Sequence, residues 1–141
     1  MPMIDVTAPT GLIPDEHHEA LARELAHALL RAEGAPRSDP YLANTGVFIR
    51  QLPHTGVHTA GTARARTVRV DVLTPPGALN REGQRQLVAE ATEIVTRHSG
   101  DPTQNTRTWV LLQEAAEGGW GVYGIALAQD EFAALRAQDS A

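Results

Sequence analysis

The sequence predicts an α+β fold in which two β-α-β units form one four-stranded sheet with both helices on one face. The main observation is an internal repeat, because a shift of 66 residues aligns residues 2–36 with residues 68–102 without a gap. Ten of these 35 positions are identical, where average residue usage would give roughly two or three. We therefore interpret residues 1–141 as a single domain built from two repeats, 2–61 and 67–128.

The first repeat carries the pattern of a strand, a helix and a second strand. The strands are predicted at Met3–Thr7 and Gly46–Leu52. The helix is predicted at Asp15–Ala32, where apolar residues such as Leu25 and Leu29 recur at helical spacing.

The second repeat has the same pattern, with strands predicted at Thr67–Leu73 and Thr108–Gln113 and a helix at Arg81–His98. Asn80 is a candidate N-cap for this helix. Each helix is expected to end at a glycine in the left-handed conformation, with a proline two residues later. These pairs are Gly34 with Pro36 and Gly100 with Pro102.

Less regular segments connect and close the units. Small residues predict hairpins at His54–Gly61 and Ala115–Gly124, and a longer loop at Arg37–Asn44. A last helical turn is predicted at Glu131–Arg136, with Ala137–Ala141 frayed. Strands joined through a helix run parallel with a right-handed crossover. The second face of such a sheet stays uncovered, which predicts self-association.

Composition and charge exclude several classes of function. The net charge is −5 and the basic residues are scattered, so no nucleic-acid or membrane partner is expected. No apolar run is long enough to span a bilayer, and no signal peptide is recognisable. The absence of cysteine excludes disulfides and thiol nucleophiles. A cytoplasmic protein is expected.

Several motifs together resemble the tautomerase superfamily. They are Pro2 directly after Met1, a glycine at position 11, the Gly-Ala-Pro that ends at Pro36, and the segment 113–124. That segment, QEAAEGGWGVYG, is similar to the one that closes the unit of 4-oxalocrotonate tautomerase. The resemblance covers nearly the whole chain, read as two fused units of that enzyme. It implies a homotrimer that rebuilds a six-unit barrel.

The resemblance also implies a catalytic role for Pro2. Removal of Met1 would expose a secondary amine, which acts as a general base when its surroundings lower its pKa. The expected reaction is keto–enol or double-bond isomerisation of a small 2-oxo or unsaturated carboxylic acid, without a cofactor. Val68 stands at the matching position of the second repeat and has no free amine, which implies one active site per chain.

The sequence departs from the family at its arginines. In 4-oxalocrotonate tautomerase an arginine follows the loop glycine; this chain has Leu12 and Ala78 at that position in its two repeats. That enzyme also has an arginine in its second strand, where this chain has Val47 and Trp109. The chain therefore lacks the two arginines that would recognise a dicarboxylate at these places.

Four other residues are candidates for the substrate pocket. Arg107 precedes Trp109 by two residues, so we expect both on one strand face, with Arg107 as a carboxylate clamp and the Trp109 indole N–H as a donor. Trp120 matches an aromatic pocket wall in several branches, and His58 is its equivalent in the first repeat. The alternative for Arg107 is a solvated arginine at the end of a strand, and for each of the two tryptophans it is a packing role.

Other activities stay open as alternatives. A hydratase or dehalogenase would need a carboxylate or tyrosine close to Pro2, and it would also need arginines in the loop Thr74–Ala78. That loop has no arginine, which also weakens the case for a decarboxylase. A trimeric ligand-binding or scaffold protein without catalysis is the second class. No metal site is expected, because the adjacent His17 and His18 would point about 100° apart on a helix.

Overall fold

The computed structural model describes residues 2–139. Four strands form one sheet in the order β2-β1-β3-β4. In chain order they are β1 Met3–Pro9, β2 Gly46–Leu52, β3 Val68–Thr74 and β4 Thr108–Glu114. β1 pairs parallel with β2, β3 pairs parallel with β4, and the central pair β1–β3 is antiparallel. The predicted fold class, with its two β-α-β units, is confirmed.

Two long helices cross over between the paired strands. α1 spans His18–Glu33, after a 3₁₀ turn at Asp15–His17, and α3 spans Arg81–Ser99. The side chain of Asn80 accepts a hydrogen bond of 2.8 Å from the Gly83 N–H, so Asn80 caps α3 as its sequence position predicts.

The helix ends also agree with the sequence pattern. Gly34 and Gly100 follow the two helices with φ of 63° and 71°, in the left-handed region that favours glycine. Near the start of α3, Gly83 lets this helix approach α1, since a Cβ there would lie 2.5 Å from the Ala32 carbonyl oxygen.

The core lies between the sheet and these two helices. Alternate residues of β1 and β3 point into it, and α1 and α3 contribute leucines, alanines and other aliphatic side chains. The fully buried members of the core include Ile4, Val6, Val70, Leu21, Leu25 and Leu87. Both helices therefore cover the same face of the sheet.

Three features differ from the predicted connections. The loop after α1 contains a short helix, α2, at Asp39–Ala43. The predicted closing hairpin is present but lies later than Ala115–Gly124, with β5 at Trp120–Val122 paired with β6 at Ile125–Leu127. The last helical turn is a full helix, α4, at Gln129–Asp139, so the prediction that the chain frays from Ala137 is wrong for the described residues up to 139.

Helix α4 is ordered by packing rather than by its own pattern. Its Phe132 is buried in a second, smaller apolar cluster with Leu30, Tyr41 and Leu127. Within residues 2–139, no helix combines the length and the apolar character that crossing a membrane would require.

Candidate active site

Pro2 lies at the start of the central strand β1, where it is buried. Its carbonyl oxygen accepts a hydrogen bond of 3.2 Å from the Gly46 N–H, which fixes the chain end beside β2. A pocket of about 270 Å³ opens next to it. This pocket is lined by Pro2, Met3, Ala43, Asn44, Gly46, Phe48, Trp120, Gly121 and Val122. The lining is mostly apolar, and none of these described residues carries a charge.

The structure brings Trp120 into this pocket with Pro2. Trp120 comes from β5, and its ring meets that of Phe132 edge-on, with centroids 6.5 Å apart. Asn44 is the main polar group of the lining, and its side-chain amide donates to the Tyr123 hydroxyl at 2.9 Å. The pocket thus has an aromatic wall and one amide near the Pro2 backbone.

The structure separates Arg107 and Trp109 from Pro2 of the same chain. Met3 pairs with Leu73 and Thr7 pairs with Arg69, so β3 and β4 begin where β1 ends. Trp109 lies level with Arg69, about 13 Å along the sheet from Met3, and Arg107 lies about 20 Å along it. Within one chain, neither residue can line the Pro2 pocket.

Arg107 does not share a strand face with Trp109, which corrects the prediction from their spacing. It ends a 3₁₀ helix, Pro102–Arg107, and its guanidinium lies 2.9 Å from the Asp101 carboxylate. Hydrogen bonds from the Thr103 hydroxyl and N–H, together with the charge of Arg107, hold the pKa of Asp101 below its usual value. The guanidinium of Arg107 is therefore engaged within its own turn.

His58 also lies away from the Pro2 pocket. It follows the carboxyl end of β2, which is level with the end of β1. Its Nε2 lies 2.8 Å from the Thr55 carbonyl oxygen, and its Nδ1 accepts a hydrogen bond of 3.1 Å from the Arg64 N–H. In this chain His58 holds the turn that leads to the second repeat.

The polar groups that sequence reasoning missed lie behind the pocket. The Glu33 side chain at the end of α1 is fully buried, and the Arg136 guanidinium lies 3.5 Å from it. Tyr41 is buried beside them in the cluster that Trp120 packs against. One signal was present in the sequence: Glu33 continues the spacing of Leu25 and Leu29, which predicts an inward-facing carboxylate.

Comparison with known proteins identifies relatives of the second repeat and of the whole fold. Residues 67–129 match the sequence profile of the Tautomerase family, described as tautomerase enzyme. No curated protein matches the chain.

Among solved structures, the Q0 fused 4-OT wild type symmetric trimer is 22% identical, with a TM-score of 0.76 and coverage of 94% of this chain and 98% of its own. Pt0534, solved after inactivation by 2-oxo-3-pentynoate, is 21% identical, with a TM-score of 0.76 and coverage of 92% and 98%. N1, a member of the cis-3-chloroacrylic acid dehalogenase family, is 21% identical, with a TM-score of 0.74 and coverage of 98% of both chains. At these identities the similarity establishes a shared fold.

Proposed function

We propose that this chain, whose residues 67–129 match the Tautomerase family and whose fold is shared with fused 4-OT proteins, is a tautomerase-superfamily member: a cofactor-independent isomerase that uses the Pro2 amine as a general base. Its substrate is a small 2-oxo or unsaturated carboxylic acid. A cytoplasmic location is part of this proposal.

The observation that carries the proposal is the place of Pro2. Removal of Met1, which lies outside the described residues, would leave a ring amine beside a pocket with mostly apolar walls. An amine taken out of water loses part of the solvation of its charged form, which lowers its pKa. A neutral amine at working pH is the form that can accept a proton.

The chemistry is a proton transfer within the substrate. In the ketonisation of phenylenolpyruvate, the Pro2 nitrogen takes the enol hydroxyl proton as the carbonyl forms, and the ring amine then returns a proton to the adjacent carbon. Trp120 and Phe48 would hold the substrate through their rings. The Asn44 amide already donates to the Pro40 carbonyl and the Tyr123 hydroxyl, so it would have to release one of them to stabilise a developing oxyanion.

The experiment follows turnover and titration together. We expect phenylenolpyruvate ketonisation, observed by ultraviolet absorbance, with a kcat/KM that rises with pH as the Pro2 amine loses its proton in a ¹⁵N NMR titration. An amine that titrates at its ordinary value, with no turnover, would contradict the proposal and leave a ligand-binding or scaffold protein.

Hydration or dehalogenation is a second candidate, because a buried carboxylate and a tyrosine lie behind the Pro2 pocket. Glu33 and Tyr41 are of the residue types that this chemistry needs. Arg136 of α4 lines a small cavity together with residues 75–78 of the loop, which has no arginine of its own. Pro2 would then act as a charged acid. Turnover of an unsaturated acid by addition of water, without phenylenolpyruvate ketonisation, would favour this reaction.

We further propose that the protein is a homotrimer assembled through the uncovered face of the sheet. This face exposes Phe48, Trp109 and Leu111, with exposed fractions of 54%, 50% and 44%. Apolar surface of this kind marks an interface. Three of the residues predicted to bind substrate lie away from the Pro2 pocket of their own chain. In such an assembly they would contact substrate only at the Pro2 pocket of a neighbouring copy; they are His58, Arg107 and Trp109.

A charge on this face is expected to dissociate the assembly. Leu111→Glu would bury an unpaired carboxylate in the interface, which costs several kcal/mol, so we expect monomers in light scattering where the wild type gives trimers. Val88→Glu is the matched control, since Val88 is an exposed apolar residue on α3. A wild type that is itself monomeric, or a Leu111→Glu variant that stays trimeric, would rule out this interface.

A further inference from the structure

The end of α1 and the start of β1 lie at the same end of the sheet. In a β-α-β unit the helix runs antiparallel to both strands, so the last residue of α1, Glu33, returns to the edge where β1 begins. Pro2 stands at that edge, bonded to Gly46 at the start of β2.

Glu33 is an unusual residue in this position. Its side chain has no exposed surface, and neither carboxylate oxygen has a hydrogen-bond partner among the described residues. Burial raises the pKa of Glu33, and the charge of Arg136 opposes this only in part. A buried carboxylate without hydrogen bonds is costly.

Arg136 is the cation beside Glu33, and it makes only a weak interaction with the carboxylate. Arg136 Nη2 lies 3.5 Å from Glu33 Oε2, beyond a good charge-assisted hydrogen bond. The other guanidinium nitrogen of Arg136 donates to the Glu33 backbone carbonyl at 3.4 Å. Arg136 therefore leaves the carboxylate able to accept another donor.

Two further titratable groups belong to this cluster, Tyr41 of α2 and Asp139 of α4. The buried Tyr41 hydroxyl has no hydrogen bond in the described residues, although Arg136 lies close enough to influence it electrostatically. Burial raises the pKa of Tyr41, and the charges of Asp139 and Glu33 act in the same direction. Neither Tyr41 nor Asp139 brings a positive charge to Glu33.

The apolar cluster that contains Leu30 and Tyr41 shares two residues with the lining of the Pro2 pocket. Trp120 and Val122 line that pocket, and both also pack against the cluster that contains Leu30 and Tyr41. Leu30 lies one helical turn before Glu33. Pro2 and Glu33 therefore lie at the same end of the sheet, and the cluster with Leu30 and Tyr41 borders on the Pro2 pocket through Trp120 and Val122.

We infer that Glu33 pairs with the Pro2 amine once Met1 is removed, and that it is a positioning residue that decides how strongly this amine holds its proton. This inference rests on the proposed function of Pro2. It explains why the chain keeps a carboxylate at a place where an apolar side chain would pack at lower cost.

The direction of the effect follows from the charges. An ionised carboxylate at about 4–6 Å favours the charged form of an amine and raises its pKa by 1–3 units, whereas the apolar pocket lowers it. The two groups titrate as a coupled pair. Arg136 is a cation that repels the charged amine and competes with it for the Glu33 carboxylate, so removing Glu33 and removing Arg136 should have opposite effects on the pKa of the Pro2 amine.

The test is a ¹⁵N NMR titration of the Pro2 amine in the processed chain. In Glu33→Gln we expect the pKa of the Pro2 amine to fall by about 1 unit or more, and in Arg136→Gln we expect it to rise. The matched control is Glu19→Gln, which removes an exposed carboxylate from the first turn of the same helix and should leave the amine unchanged.

A general loss of structure would shift both variants in the same direction. Glu33→Asp keeps the charge and guards against a Glu33→Gln chain that fails to fold, and its Pro2 amine should titrate between those of the wild type and Glu33→Gln. A Pro2 amine with the same pKa in the wild type, Glu33→Gln and Glu33→Asp would overturn the inference. Because the titration needs no substrate, this result is separate from an absence of turnover, which would instead contradict the proposed function.

Discussion

Replacement of Pro2 with alanine is expected to lower kcat/KM for phenylenolpyruvate ketonisation by at least about 10²-fold, the lower end of what a general base contributes. Alanine at position 2 still permits removal of Met1, so the variant presents a primary amine in place of the ring amine. The amine remains near the same pocket, but it is no longer held by the ring and rotates about an added bond. We therefore expect the loss to lie mainly in kcat.

The measurement is steady-state kinetics on chains whose mass shows that Met1 is absent. Pro53→Ala is the matched control, because Pro53 is exposed and follows the far end of β2. It should retain wild-type kcat/KM. If Pro2→Ala kept full activity, the base would be another group; if both variants lost activity equally, the loss would come from folding rather than from the amine.

The elements of this fold could be predicted because their signals are local. The Asn80 cap, the glycines at 34 and 100 and the apolar spacing of α1 each act within one or two turns of chain. Helix α4 was underestimated because its stability comes from Phe132 packing against Leu30 and Tyr41, which are distant in sequence. The union of two β-α-β units in one sheet was predicted from the internal sequence repeat.

The site was less accessible to sequence reasoning. Trp120 was found through a family motif, and the structure places it beside Pro2. Arg107 was expected next to Trp109 on a strand, but Asp101 and Thr103 hold it in a 3₁₀ turn before the strand begins. Glu33 and Arg136 come together from positions about a hundred residues apart, and no local pattern indicates such a pair.

Truncation of a core leucine is expected to show that both repeats stabilise one folding unit. Leu21 and Leu87 occupy equivalent positions of the repeat, and both are fully buried in the core between helices and sheet. Leu21→Ala and Leu87→Ala should each lower the free energy of unfolding by about 2–5 kcal/mol, because each removes buried apolar surface and leaves a cavity.

The measurement is urea unfolding at constant protein concentration, followed by circular dichroism. Val88→Ala serves as the control, since Val88 neighbours Leu87 but is 37% exposed, and its truncation should cost far less. A single transition that moves as a whole in both leucine variants would indicate that α1 and α3 unfold together. Two transitions, with only one displaced by each variant, would mean that the repeats are independent and that the shared core between α1 and α3 contributes little to cooperativity.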